Sequence, residues 1–383
     1  MLRGLSNANL SVFVGRFPGE NRRSPFLFGN SHGMERGRAM VSIRCAARAA
    51  VVGVMVLLAA GAVQAIIIDT VPVGNPGNAA DTRYETPGYG AVNYEYRIGK
   101  YEVTASQYTA FLNALGGVDT YSLYNPWMSY GNEGCGITRN GGGTVGDPYT
   151  YSVAADFANR PANNVSFWNA CRFANWLSNN QPTGAQGPGT TETGAYTLNG
   201  YNGVDGRTIQ RNPGATWAVP SEDEWYKAAY YKGGSTNAGY WDYPTSSDTA
   251  PGQDMNDASG NNANYSTAPY TMPIDNGKYT TLVGEFQNSP SPYGTFDQGG
   301  NVWEWDEAVV SVSYRGLRGG AFNYGGSIMH ASYRGVSYYT NQYSYSGGFR
   351  VSGVPEPATM GLLALGGLGM LMRRRVAPRT DRP

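Results

Sequence analysis

The fold of this 383-residue chain is decided by the stretch Gly300-Asn301-Val302-Trp303-Glu304-Trp305. Successive side chains of a strand point to opposite faces, so the two indoles share one face and the carboxylate of Glu304 points to the other. Aromatic side chains that cluster on one face supply a large apolar area. We therefore predict that Trp303 and Trp305 pack in the core, with stacking on a ligand as the alternative.

Three helices are predicted on the N-terminal side of this stretch from their capping residues. Thr104 with Gln107, and Ser221 with Glu224, have the spacing of a capping box, and Ser166 is suited to N-cap a third helix. Each cap is followed by apolar residues at helical spacing: Tyr108, Phe111, Leu112 and Leu115; Phe167, Ala170, Cys171, Ala174 and Leu177; Trp225, Ala228 and Ala229.

Short strands and long loops account for the rest. The strands are predicted at 94–101, 217–219, 302–305, 315–319 and 348–351, and irregular stretches at 120–160, 182–214 and 233–298. With 53 glycines and 29 tyrosines, the composition indicates a loop-rich domain with an aromatic core. No internal repeat or linker is evident, so residues 66–353 are predicted to form one domain.

The N-terminal segment, residues 1–65, has the pattern of an extension followed by a signal peptide. Arg44 and Arg48 precede an uncharged apolar run over 49–62, and Val63-Gln64-Ala65 provides small or apolar residues where signal peptidase cleaves. A buried helix is the alternative. The pattern predicts export across the inner membrane.

The C-terminal segment, residues 354–383, contains Pro355-Glu356-Pro357, an uncharged run over 358–372 and three arginines. Fifteen residues fall short of the roughly 20 that cross a bilayer comfortably. The order of these features resembles the PEP-CTERM sorting signal. That resemblance implies recognition by an exosortase and a location in the cell envelope or outside the cell, with transient or stable anchoring. A plain transmembrane anchor is the alternative.

Charge excludes one class of partner. The two end segments, 1–65 and 373–383, hold 13 of the 28 basic residues but only 3 of the 28 acidic ones, so residues 66–372 carry 15 basic against 25 acidic side chains. Nucleic-acid binding needs a basic surface. The acidic domain therefore predicts no nucleic-acid partner and suits cation binding.

Cysteine and histidine are scarce between the two end segments. Cys135 and Cys171 are the only cysteines there, and either a disulfide or two packed free thiols fits their number and the exported location. His330 is the only histidine in the same region. A zinc site built from several His or Cys ligands is therefore excluded.

Six ordered stretches of the chain resemble the motifs of the formylglycine-generating enzyme family, whose members are also called sulfatase-modifying factors. In chain order they are Ile98-Gly99-Lys100-Tyr101-Glu102-Val103-Thr104, Asn164-Val165-Ser166-Phe167-Trp168-Asn169-Ala170, Val219-Pro220-Ser221-Glu222-Asp223-Glu224-Trp225, Gly300-Asn301-Val302-Trp303-Glu304-Trp305, Arg318-Gly319-Gly320 and Gly348-Phe349-Arg350-Val351. They span about residues 90–352. The resemblance implies an α+β domain with the family's loop-rich variant of the C-type-lectin-like fold.

The resemblance also implies structural Ca²⁺, which prefers hard oxygen ligands. The first family site falls on Asp297, the carbonyl groups of Gly300 and Val302, and Glu304. The second begins at the Asn264 side chain and the Tyr265 carbonyl, with Asp275 as a further partner. A carboxylate capped by backbone amides without metal is the alternative.

The family's catalytic chemistry is not expected here. In the family two cysteines that follow the Arg-Gly-Gly motif bind Cu(I), and soft thiolates are needed for that ion. Tyr324 and Met329 stand at those positions, and 321–347 contains no cysteine, so no copper is expected. The related iron-dependent sulfoxide synthases need three histidines, and His330 is the only one between the two end segments, so their chemistry is not expected either. A different chemistry would have to use the remaining cleft candidates, Arg318, Tyr324, His330 and Arg334.

These observations favour a non-catalytic module that binds an extracellular polysaccharide or an envelope protein. The tyrosines and amides of 338–343 suit carbohydrate contacts, although they suit aromatic packing equally well. The alternative is a divergent sulfatase-modifying or other oxidoreductase-type enzyme that uses the same cleft, and a third possibility is a purely structural surface protein. Signal peptidase and an exosortase are the expected processing partners.

Overall fold

The computed structural model describes residues 65–267, 275, 277–335 and 338–353. The predicted signal peptide up to residue 64 and the sorting signal Pro355-Glu356-Pro357 lie outside these residues. Within them, no helix combines the length and the apolar character needed to cross a membrane.

Three α-helices begin at the predicted caps: α1 (Ala105–Leu115), α2 (Phe167–Ser178) and α3 (Glu222–Tyr230). The Thr104 hydroxyl accepts from the Gln107 amide at 3.2 Å, and the Gln107 side chain accepts from the Thr104 amide at 2.9 Å. The same reciprocal pair joins Ser221 and Glu224. Both capping boxes and the Ser166 cap are therefore confirmed.

In the described part of the chain, nine short strands form three sheets. One sheet has the order β1 (Thr70–Val73), β2 (Tyr96–Gly99), β9 (Ser352–Gly353), β5 (Trp217–Ala218), with every pair antiparallel. A hairpin joins β3 (Ile137–Asn140) and β4 (Thr150–Val153). In the third, β6 (Trp303–Val309) pairs antiparallel with β7 (Arg315–Arg318) and parallel with β8 (Gly347–Gly348).

Some strands differ from the prediction, for local reasons. Strand β1 was missed because Pro72 interrupts its pattern, and the strand lies at a sheet edge, where proline is tolerated. The hairpin within 120–160 was predicted as a loop. Each of its strands buries only one residue, so no apolar alternation marks them. The strand predicted at 348–351 is two short pieces, β8 and β9, with residues 349–351 between them.

The core is aromatic, as expected. The Phe173 ring of α2 contacts Phe111 of α1 and Phe349, with ring centroids 5.3 Å apart in each pair. Trp303 and Trp305 are 3% and 1% exposed and belong to the same core, so core packing is the correct reading of the two indoles. The α+β, loop-rich character predicted from the sequence is confirmed.

One glycine of the opening motif has a clear geometric role. Gly300 adopts φ = +80°, and a Cβ there would lie 2.1 Å from the Asn264 carbonyl oxygen. Only glycine permits both the left-handed conformation and this approach. The next residue, Asn301, donates its amide to that same carbonyl at 2.8 Å. This contact sets the position from which β6 begins.

Candidate functional site

Strand β6 buries Glu304 completely, where it meets Arg350. The Nε and Nη2 atoms of Arg350 lie 2.5 and 2.6 Å from the two carboxylate oxygens of Glu304. The Trp225 indole N–H donates to one of these oxygens at 2.7 Å. Arg350 also donates to the carbonyl groups of Gly99 at 2.8 Å and Phe296 at 2.9 Å. The ion pair therefore connects β6 and the segment around Arg350 to the segments that contain Gly99, Trp225 and Phe296.

Two more carboxyl groups, Glu102 and Asp297, interact with this ion pair. Glu102 is 2% exposed, and neither of its side-chain oxygens has a hydrogen-bond partner among the described residues. Burial, together with the charges of Asp297 and Glu304, holds the pKa of Glu102 well above its usual range. Desolvation raises the pKa of Asp297 to about 6, although the Gly284 amide donates to it at 2.6 Å. The positive charge of Arg350 therefore interacts with three carboxyl groups, although only Glu304 forms an ion pair with it.

The first calcium site can be tested against this geometry. Glu304 already accepts three hydrogen bonds, so little of its capacity remains for a cation. Glu102, which is outside the family's ligand set, has two buried oxygens to offer. No group of three or more His, Cys, Asp or Glu side chains in the described ranges is arranged to hold a metal. Ca²⁺ here would depend on Asp297, Glu102 and the carbonyl groups of Gly300 and Val302, a donor set that fits a hard cation.

The second predicted calcium site contains one side chain with an unused buried oxygen, that of Asn264. Asn264 is 1% exposed and its Oδ1 atom has no partner within the described part of the chain. Its Nδ2 atom donates to the Tyr279 carbonyl at 3.0 Å and to Asn301 Oδ1 at 3.2 Å. These two bonds hold the side chain in place with its oxygen free, as a metal ligand would require.

The two predicted partners of Asn264 are engaged elsewhere. The Tyr265 carbonyl accepts a hydrogen bond from the Gln253 side chain, and Asp275 forms an ion pair with Arg160. Of Asn264, Tyr265 and Asp275, only Asn264 therefore has a buried oxygen without a hydrogen-bond partner among the described residues.

At Tyr324 and Met329, the positions predicted for the family's copper ligands, the protein has a tyrosine pair and a buried thioether. The Tyr324 hydroxyl lies 3.2 Å from that of Tyr338, which in turn lies 3.2 Å from the Ser346 hydroxyl. The Tyr324 ring packs edge-on against Trp303, with centroids 5.3 Å apart. Met329 is 1% exposed. Burial and Tyr338 raise the pKa of Tyr324, so its phenol stays neutral.

The two thiols lie elsewhere and are not bonded to each other. Cys135 and Cys171 are both free and buried, so the disulfide is not formed and the alternative of two packed thiols holds. Burial raises the pKa of Cys135 to about 11 and that of Cys171 further still. Cys171 faces the core because it lies on the apolar stripe of α2.

Two of the four cleft candidates are structural. Arg318 is fully buried and pairs with Glu222 at 2.6 Å, and it also donates to the Tyr333 carbonyl at 2.8 Å. Arg334 pairs with the same Glu222 carboxylate. Both guanidinium groups are thus held by one residue at the start of α3.

His330 belongs to a third group of contacts. Its Nδ1 atom lies 2.8 Å from the Ser332 hydroxyl, and its Nε2 atom lies 3.7 Å from Asp242. Tyr84 and Tyr243 contact its ring edge-on, with centroids 5.2 and 5.3 Å away. These contacts place His330 beside Asp242 and Ser332, and a cleft shared with Tyr324 and the two arginines stays a prediction. The carboxylate partner Asp242 was missed because it lies far away in the sequence.

The tyrosines of 338–343 are mostly engaged in packing. Tyr339 stacks on Tyr314 with centroids 5.0 Å apart, and the Tyr343 hydroxyl donates to the Ser122 carbonyl at 3.0 Å. Tyr338 holds Tyr324, as described above. Most tyrosine side chains of this loop are therefore engaged in contacts within the protein and are not free to bind a ligand.

An open aromatic pocket lies beside this loop, with a volume of about 400 Å³. Trp127 and Tyr130 are 58% and 55% exposed, and their ring centroids are 4.8 Å apart at an angle of 69°. The residues that line the pocket include Trp127, Tyr130, Glu133, Asn164, Gln342 and Tyr345. Sequence reasoning missed the pocket because its first residues lie in the stretch predicted as irregular.

The sequence matches the profile of the sulfatase-modifying factor enzyme 1-like domain over residues 46–354, and the chain belongs to this family. Residues 353–375 match the PEP-CTERM protein-sorting motif. This motif marks an exported protein that is processed by exosortase-type sorting machinery and anchored at the cell envelope through its C-terminal segment. No curated protein matches the chain.

The solved structures that are similar to the chain include the following three, each over 76% of its length. CarF is 23% identical, with 99% of that chain covered and a TM-score of 0.44. Treponema denticola variable protein 1 is 16% identical, with 97% covered and a TM-score of 0.44. PvdO from Pseudomonas aeruginosa is 18% identical, with 93% covered and a TM-score of 0.40.

Proposed function

We propose that this chain is a non-catalytic member of its family, an exported module that binds a glycan or a protein at the cell envelope or outside the cell. The observation that carries the proposal is the hydrogen-bonded pair of Tyr324 and Tyr338 together with the buried Met329. These side chains fill the place where the family's chemistry needs two thiolates.

Copper chemistry of the family's kind has no source of thiolate ligands within residues 321–347. A phenol and a thioether do not form the dithiolate site that Cu(I) prefers. Cys135 and Cys171 are buried in the core, and desolvation raises the pKa of both thiols, which opposes thiolate formation. Catalysis of another kind would have to begin from His330, because Arg318 and Arg334 are both paired with Glu222.

Calcium is part of the same proposal, in a structural role. If all were ionised, Glu102, Asp297 and Glu304 would place three negative charges around the single positive charge of Arg350, and burial together with this repulsion raises the pKa of Glu102 and of Asp297. A divalent cation would neutralise the excess and supply a partner for the Glu102 oxygens. The unpaired Oδ1 atom of Asn264 supports a second ion in the same way.

The catalytic question is tested by Cu(I) titration of the full chain with a sulfatase-type cysteine peptide. We expect no tight copper binding and no formylglycine above the protein-free control. The matched variant Tyr324→Cys/Met329→Cys restores both thiols, and it should gain copper binding if it folds. Appreciable formylglycine formation by the unaltered chain would overturn the proposal and favour a divergent sulfatase-modifying enzyme.

A further inference from the structure

Trp127 differs from the other tryptophans in its exposure to solvent. All eight tryptophans of the chain lie in the described ranges, and Trp127, at 58%, is the only one among the exposed large side chains. Four others, Trp168, Trp176, Trp225 and Trp305, are almost completely buried. A large aromatic group left in water at the rim of a pocket marks a binding surface.

The backbone that carries the indole is held in place by hydrogen bonds. Trp127 lies in a 3₁₀ helix, Pro126–Ser129, whose N-cap Asn125 accepts from the Trp127 amide at 2.9 Å. The Tyr130 amide donates to the Trp127 carbonyl at 3.1 Å, which closes the turn. Because the two rings stand 69° apart, they form the floor and wall of a rigid corner. Such preorganisation lowers the entropy cost of binding.

The polar lining selects the chemistry of the ligand. Glu133, Asn164 and Gln342 bring carboxylate and amide groups to the same pocket, and these groups hydrogen-bond to hydroxyls. Glu133 is the only charged side chain among the lining residues. With no cation in the pocket and an acidic domain around it, an anionic ligand is disfavoured.

From these features we propose that the pocket binds a pyranose ring of an uncharged or amino-sugar oligosaccharide. The C–H face of the sugar would lie on Trp127 with Tyr130 at its edge, and its hydroxyls would bond to Glu133 and Gln342. The inference rests on the proposed function, a binding module. The pocket adjoins the tyrosine pair of that proposal, because Tyr338 lines it and the Tyr338 hydroxyl lies 3.2 Å from that of Tyr324.

A proline-rich peptide is the other ligand that aromatic pockets take. Such peptides lie along grooves that contact several successive turns of a polyproline helix. Here the two exposed rings meet at a corner of about 400 Å³, and amides and a carboxylate surround it. This arrangement suits one or a few sugar rings better than an extended apolar helix.

The test uses the labelled full chain on an array of neutral, amino-sugar and uronate glycans, with decaproline as the peptide probe. Cellotetraose, chitotetraose and tetragalacturonate are then compared by calorimetry. We expect at least one neutral or amino-sugar probe to bind tenfold more tightly than the uronate. Trp127→Ala should raise Kd tenfold or more, whereas Tyr339→Ala, which removes an exposed tyrosine outside the pocket lining, should leave it unchanged.

Four results would overturn the inference: no glycan bound, a uronate bound equally well, an unchanged Kd in Trp127→Ala, or binding of decaproline alone. Circular dichroism of each variant confirms its fold before the comparison. The copper and formylglycine assay is independent of these results. A failed glycan test with no enzyme activity therefore refutes only this inference, whereas formylglycine formation refutes the proposed function.

Discussion

The guanidinium of Arg350 forms a bidentate ion pair with the carboxylate of Glu304. Both N···O distances are between 2.5 and 2.6 Å, and both side chains are fully buried. The two residues are 46 positions apart, one in the strand that opens the third sheet and the other just before the domain's last strand. The contact therefore links the C-terminal end of the domain to the motif at residues 300–305.

Breaking this ion pair should be costly. Arg350→Met leaves Glu304 without its partner beside two further carboxyl groups, and removing one member of a buried pair typically costs about 3–5 kcal/mol. We expect that loss in urea denaturation. The control is Arg207→Met, which breaks an exposed pair with Asp205 and should change the midpoint little. Equal effects of the two substitutions would refute a structural role for the Glu304 pair.

Calcium should stabilise the fold through the carboxyl cluster. Adding Ca²⁺ to chelator-treated protein is expected to raise Tm, because the cation offsets the excess negative charge. In Glu102→Gln this rise should shrink, since the variant removes one carboxylate while keeping the shape of the side chain. A Tm that is the same in chelator and in calcium would count decisively against the site.

In the absence of calcium, stability should fall as pH rises towards neutrality. The pKa of Asp297 is raised to about 6 in the folded state, so the native protein holds a proton that the unfolded chain has released. The stability that this proton provides is present below the unfolded pKa and is lost as pH passes through about 6. Asp297→Asn should weaken this dependence, and the part that comes from the raised pKa of Glu102 should remain. The check is denaturation of both proteins from pH 4 to 7, and identical pH profiles would contradict it.

Neither described thiol should react in the native protein. Cys135 and Cys171 are buried, and the raised pKa of each disfavours the reactive thiolate. A thiol reagent followed by peptide mapping should label both only after denaturation, with or without prior reduction. Labelling that requires reduction would show a disulfide instead.

Removal of Pro355-Glu356-Pro357 should change where the protein is found. The triplet belongs to the matched sorting motif, so its replacement by alanines should leave the chain unprocessed in the membrane fraction. Alanines at residues 380–382, beyond the matched motif, serve as the control and should be sorted normally. Identical fractionation of both variants would contradict sorting through this motif.

Sequence alone determined the features that depend on neighbouring residues. The caps at Thr104, Ser166 and Ser221 act within one helical turn, so their patterns located all three helices. The ordered motifs, the terminal signals and the absence of cysteine at Tyr324 and Met329 are likewise properties of the linear chain.

The tertiary structure decided the contacts between distant segments. It paired Arg350 with Glu304 and set Asp242 beside His330, and it left Glu102 without a hydrogen-bond partner among the described residues. It also formed the pocket from residues 127–133, 164 and 338–345. No local sequence pattern predicts these contacts, because they form where loops pack onto the aromatic core. The polar groups that are buried there need partners from distant parts of the chain.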